Sequence, residues 1–146
     1  MTETMKKKDV AWTLADTVVD TTYEDLPIET VEVTKKSILD TLGVIAAASG
    51  ISPECRLLVD LIKDAGGKEE STIIGLGGRV PAWMAAFANG AMGHYLDYDD
   101  LLYEALVHPS CSVVSAGLAI ADVDRRCAGR GAIRLHCQQS ALCPNG

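Results

Sequence analysis

No run of about 18 or more apolar residues occurs in this 146-residue chain, so hydropathy supplies no membrane span. Residues 1–8 are polar with a Lys triplet and no apolar stretch behind them, so no standard secretory leader is expected. The five cysteines (55, 111, 127, 137 and 143) are an odd number and never fall at CxxC spacing, so a reduced, cytoplasmic setting is expected. Basic residues are outnumbered 13 to 20, giving a net charge of −7 and a pI near 4.8. That balance argues against nucleic acid as the main partner. Internal repeats and low-complexity blocks are absent. What remains is 48% apolar content, ample for the core of one domain.

Helix signals dominate the chain. Residues 1–8 read as a flexible tail. Asp9 is placed to cap a helix over 10–21, with Trp12, Leu14, Val18 and Val19 as a partial apolar face. Pro27 ends that region and restricts Leu26. A second helix is predicted to about Ala48, closed by Ser49-Gly50. Its apolar stripe is Val31, Ile38, Leu39, Leu42, Ile45 and Ala46. Ser52-Pro53 opens a third to about Ala65, expected to bury Leu57, Leu58, Leu61 and Ile62. The fold class is therefore mostly α, with at most one short strand near 71–74, which must form a hairpin-like extension, pair with another chain, or not be a strand. Gly75-Leu76-Gly77-Gly78 matches neither GxGxxG nor GxxxxGK[ST], so its glycines are taken as turn residues. Pro81 opens a further helix rich in Ala and Gly, able to admit a close neighbour. Residues 111–121 resemble another buried helix. From Val123 onward Arg becomes frequent and apolar periodicity ends. Residues 123–146 are therefore expected to be an aberrant tail, disordered or out of frame, leaving 9–122 as the helical segment.

The chemistry concentrates in Gly93-His94-Tyr95-Leu96-Asp97-Tyr98-Asp99-Asp100 and the following His108-Pro109-Ser110. His94 and Asp97, three apart, can share a helix face. Asp97 and His108, eleven apart, would be separated by about 16 Å on one unbroken helix, too far to share a substrate atom. Joint action requires residues 100–107 to fold back, with Pro109 starting a new helix. The N–H groups of Ser110, Cys111 and Ser112 at that helix start could then receive a substrate carboxylate, and its dipole favours a neutral His108. Burial of the cluster would favour the protonated form of Asp97. Three readings stay open on residue chemistry alone: a proton-transfer pair, a divalent metal site, and a solvated acidic helix end with structural histidines. An EF-hand is excluded, because Leu101 takes a ligand position.

These motifs, together with Ala86-Phe87-Ala88-Asn89-Gly90-Ala91, Tyr23-Glu24-Asp25-Leu26-Pro27 and Leu39-Asp40-Thr41-Leu42-Gly43-Val44, resemble the signature of the MmgE/PrpD family. That family includes 2-methylcitrate dehydratases, cis-aconitate decarboxylases and iminodisuccinate epimerases. The resemblance covers roughly residues 10–122. It implies the N-terminal part of a large all-helical domain, a homodimer, no metal, no organic cofactor, and small di- and tricarboxylate substrates. It also implies a lyase of the 2-methylcitrate dehydratase type in propionate catabolism, or else a decarboxylase or epimerase. His108 and Asp97 are the implied catalytic residues; His94, Ser110 and Asp100 are candidates for substrate binding. Where family members carry Thr after the double Asp, this chain has Leu101, and the gap to His108 is about one residue longer. Family members are also roughly three times this long, so the expectation is a fragment lacking later parts of the site. The competing expectation is a non-catalytic helical association module.

Overall fold

A computed structural model describes residues 9–103 and 105–128. Five α-helices carry the fold: α1 (Val10–Asp20), α2 (Ile28–Ile51), α3 (Pro53–Asp64), α4 (Ala82–Tyr95) and α5 (Pro109–Ala128). Between α3 and α4 lie two two-residue strands, β1 (Ser71–Thr72) and β2 (Arg79–Val80), paired antiparallel with Ser71 opposite Val80. Mostly α is thus the observed class, and the hairpin option describes the strand region. Among the described residues no single helix is long and apolar enough to cross a membrane.

Local chemistry sets the helix ends. Asp9 accepts from Ala11 N at 3.0 Å and caps α1. Tyr23–Asp25 is a 3-10 turn closed by a capping box between Thr22 and Asp25. Ser49-Gly50 does not end α2. Ser49 Oγ donates to Ala46 O at 2.7 Å inside the helix, which continues until Ser52, extended because it precedes Pro53. Ser52 Oγ accepts from Cys55 N at 3.0 Å and starts α3, which leaves α2 at 95°.

Helix α4 is the central element and packs on α2, α3, α5 and the hairpin. Ala85, Ala88 and Met92 are fully buried, and Gly90 and Gly93 face α5. A Cβ at Gly93 would meet Cys111 Cβ at 3.4 Å and Ile45 Cγ1 at 3.6 Å, so this glycine sets how closely three helices converge. From α5, Cys111, Ser115 and Ala119 supply the matching small-residue stripe. The hairpin is held by polar contacts. Asn89, buried in α4, accepts from Ile74 N at 2.9 Å and donates to Thr72 O at 3.1 Å. Asp122 of α5 accepts from Thr72 N at 2.9 Å and Thr72 Oγ1 at 2.7 Å, and pairs with Arg79 at 3.2 Å. The Gly75 turn lies against α2 with φ +80°, where a Cβ would fall 2.2 Å from Ser49 Oγ.

Three expected faces differ from the observed ones. Helix α3 buries Cys55, Val59 and Ile62, while Leu57 and Leu61 are exposed. On α2, Leu39 and Ala46 point to solvent; Thr41, Val44, Ile45 and Ala48 point inward. Both helices are rotated about their axes relative to that expectation, so that Val44 and Val59 join Ile45 and Ile62 in the core and Leu39, Leu57 and Leu61 turn outward. Helix α1 buries nothing, packs on none of the other helices or strands described, and exposes Trp12, Leu14, Val18 and Val19. The composition change at residue 123 is not an end of structure, since α5 runs through it to Ala128. Residues 1–8 and 129–146, on which the two tail expectations rest, lie outside the described residues.

Candidate functional site

The site forms where the exit of α4 meets the entrance of α5. Helix α4 stops at Tyr95, and Asp97, whose N–H donates to His94 O at 3.0 Å, turns the chain with φ +50°. Asp and Asn tolerate this left-handed conformation better than other side-chain-bearing residues. The chain then folds back between 100 and 107, as joint action of Asp97 and His108 requires. An antiparallel bridge joins Leu102 to Val107, with Leu102 N donating to Val107 O at 2.9 Å. Pro109 begins α5, leaving His108 at its mouth.

The centre of the cluster is Asp99, which the sequence did not single out. Its side chain is completely buried, whereas that of Asp97 is 83% exposed. His94 Nδ1–H donates to both Asp99 oxygens at 3.1 Å. His108 Nδ1 lies 3.3 Å from Asp99 Oδ1 without the alignment of a hydrogen bond, and this buried nitrogen has no other partner. The two imidazoles are 4.8 Å apart between centroids and tilted by 58°. An anionic oxygen this close to an imidazole nitrogen is favourable only if that nitrogen carries the proton. Both rings are therefore assigned as Nδ1–H tautomers, leaving both Nε2 lone pairs free.

Asp97 approaches from the solvent side, with Oδ1 3.9 Å from His108 Nε2. The burial expected for Asp97 falls on Asp99 instead, because the left-handed turn at 97 swings the first carboxylate outward and the third residue of the motif inward. Burial is the largest influence on Asp99 and pushes its pKa up. Hydrogen bonds from His94 and its own backbone N–H outweigh that, so its pKa is lowered from 3.8 and it stays ionised. Burial of the Cys111 thiol pushes its pKa up, with Asp99 adding to the effect. Its Sγ–H donates to His108 O at 3.2 Å.

Asp100 and Ser110 bind each other. Asp100 accepts from Ser110 N at 3.1 Å and from Ser110 Oγ at 2.8 Å, capping α5 from across the loop. The Ser110 N–H expected to receive a substrate carboxylate is thus engaged within the protein. His94, half exposed, remains open to solvent on its outer side. His94, Asp97, Asp99 and His108 each offer a donor atom, all within 4.8 Å of one another, so the same four residues have the chemistry of metal ligands.

The MmgE/PrpD N-terminal domain model fits residues 12–134. No curated protein matches the chain.

Proposed function

Because the chain belongs to the MmgE/PrpD family through its N-terminal domain, we propose that His94, Asp99 and His108 form a proton-transfer site acting on small di- and tricarboxylates. The observation that carries this reading is the buried Asp99 carboxylate shared by two imidazoles. It orients the His94 ring by hydrogen bonds, faces the His108 ring at 3.3 Å, and offsets the charge of whichever one is protonated, the task of an orienting carboxylate in general acid–base catalysis.

The reaction is a dehydration of the 2-methylcitrate dehydratase type. His108 Nε2 takes a proton from the carbon next to a carboxylate. The electrons of that C–H bond form the carbon–carbon double bond, and the C–O electron pair leaves with the hydroxyl group. His94, after its solvent-facing Nε2 has taken up a proton from water, supplies the proton that lets it depart as water. Asp97, at the solvent side of His108, faces the substrate and does not hold the ring. The Asp100–Ser110 clasp fixes α5 so that His108 stays over Asp99. Decarboxylation and epimerisation would use the same pair on a different leaving group. A homodimer in the cytoplasm, without cofactor, completes the proposal.

Incubation of the protein in D2O with 2-methylcitrate or a related tricarboxylate tests it, followed by mass spectrometry. Deuterium uptake at the carbon next to a carboxylate, or dehydration, is expected for the wild type and is lost in His108→Ala. Turnover unchanged in that variant would defeat the base role. A second reading is supported by the exposure of Trp83 and Phe87 on α4 and of all of α1. In it, the segment is a helical association module. Absence of exchange with every carboxylate offered would favour that alternative.

A further inference from the structure

We propose that His94, Asp97, Asp99 and His108 also form a binding site for a divalent transition ion of the zinc class, and that the bound ion arrests proton transfer. Binding itself does not depend on the reaction proposed above; only the arrest does. The donors are two imidazole nitrogens and two carboxylate oxygens, the set that favours zinc, cobalt or nickel over magnesium or calcium. Bonds of about 2.0–2.1 Å around a tetrahedral ion place its donors roughly 3.3–3.4 Å apart. His94 Nδ1 and Asp99 are 3.1 Å apart, and His108 Nδ1 and Asp99 are 3.3 Å apart. Across the whole set no pair of donors exceeds 4.8 Å. Asp97 lies 3.9 Å from the far nitrogen of His108, and its exposed side chain is free to rotate inward.

A second observation points the same way. His108 Nδ1 is buried 3.3 Å from Asp99 without a hydrogen-bond partner, so an ion at that point satisfies a nitrogen that the protein leaves unsatisfied. Two carboxylates balance the charge of a divalent ion, which keeps the half-buried site neutral. Each imidazole that binds through Nδ1 needs only to move its proton to Nε2, with no net loss of charge. The arrest follows, since each ring then has one nitrogen on the ion and the other protonated, leaving no lone pair for a carbon-bound proton.

Cobalt(II) titration of the full chain tests the site, because four-coordinate cobalt absorbs visible light far more strongly than the hydrated ion. One equivalent should bind with an intense visible band and without a thiolate-to-metal band in the near ultraviolet. The chain carries other donors at Cys127, His136, Cys137 and Cys143, so Cys137→Ser and His136→Gln serve as controls and should leave the band intact. His94→Gln and His108→Gln should each weaken binding by more than the 10–100-fold typical for loss of an outer-shell partner. Asp97→Asn alters an exposed side chain that folding does not require, and should weaken binding at least about tenfold. No binding in the wild type, a thiolate band, or loss of the signal in the His136 or Cys137 controls would overturn the proposal. So would full binding in Asp97→Asn together with either histidine variant.

Discussion

Replacing Asp99 by Asn keeps the shape of the buried side chain and removes its charge. The amide has one oxygen and one NH2 where the carboxylate has two acceptors. Asp99 faces Nδ1–H of His94 at 3.1 Å and Nδ1 of His108 at 3.3 Å. An amide that accepts from one ring must donate to the other, forcing that second ring into the Nε2–H tautomer. Its outward lone pair then disappears, and with it either the base or the acid of the pair. A hydrogen bond to a charged group contributes about 1.5–3 kcal/mol. At about 1.4 kcal/mol per decade, loss of that orienting interaction alone lowers the proton-exchange rate roughly 10- to 150-fold. The tautomer change lowers it further. Deuterium uptake in D2O measures the rate, and urea unfolding of the same sample separates catalysis from folding. Wild-type exchange in Asp99→Asn, with the loss appearing instead in Asp97→Asn, would refute the assignment of Asp99 as the orienting carboxylate.

Other consequences can be checked by unfolding measurements. Asn89→Ala strips Ile74 N–H and Thr72 O of their partners and should cost about 2–4 kcal/mol in urea denaturation. Gly75→Ala should destabilise through both the Ser49 overlap and its positive φ; adding Ser49→Gly should restore only the steric part, leaving a residual of about 1 kcal/mol. Burial raises the pKa of Asp122, but hydrogen bonds from Thr72 and Arg79 outweigh it; Asp122 and Asp99 both have folded-state values below the ordinary 3.8. The unfolded chain therefore binds protons first as pH falls. Stability from these two groups is fully present above that ordinary value and declines as pH drops through their lower folded values. Urea midpoints over this acid range should fall less steeply in Asp122→Asn.

Much of this architecture is legible in the amino-acid order because its punctuation is chemical. Asp9, Ser52-Pro53, Pro81 and Pro109 start helices where they stand, and the glycines after Ile74 make the hairpin turn. The fold-back between Asp97 and His108 follows from helix rise once the two are required to act together, and Pro109 supports it. What escapes is rotation and depth. Leucines at 39, 57 and 61 satisfy a helical period, yet Val44, Ile45, Val59 and Ile62 take the interior, because where α2 and α3 meet α4 sets their rotation. The choice among three aspartates escapes for a related reason. A helical spacing links His94 to Asp97, but α4 ends at Tyr95, so that spacing no longer fixes direction. The backbone sign at Asp97 decides which carboxylate goes inward, and neighbouring residue types do not encode it. Nor does a change in composition at Val123 mark a structural boundary, because Asp122 is tied to Thr72 and Arg79 and the helix continues.

The central claim is that one buried carboxylate holds two imidazoles with their Nε2 lone pairs outward. Long-range 1H–15N correlation spectra of the histidine rings at neutral pH read this directly, with His94→Gln and His136→Gln used for assignment. His94 and His108 should both carry Nδ1–H in the wild type, and one of the two rings should lose that signature in Asp99→Asn. Nε2–H tautomers for both rings in the wild type, or spectra unmoved by the Asp99 substitution, would contradict the account.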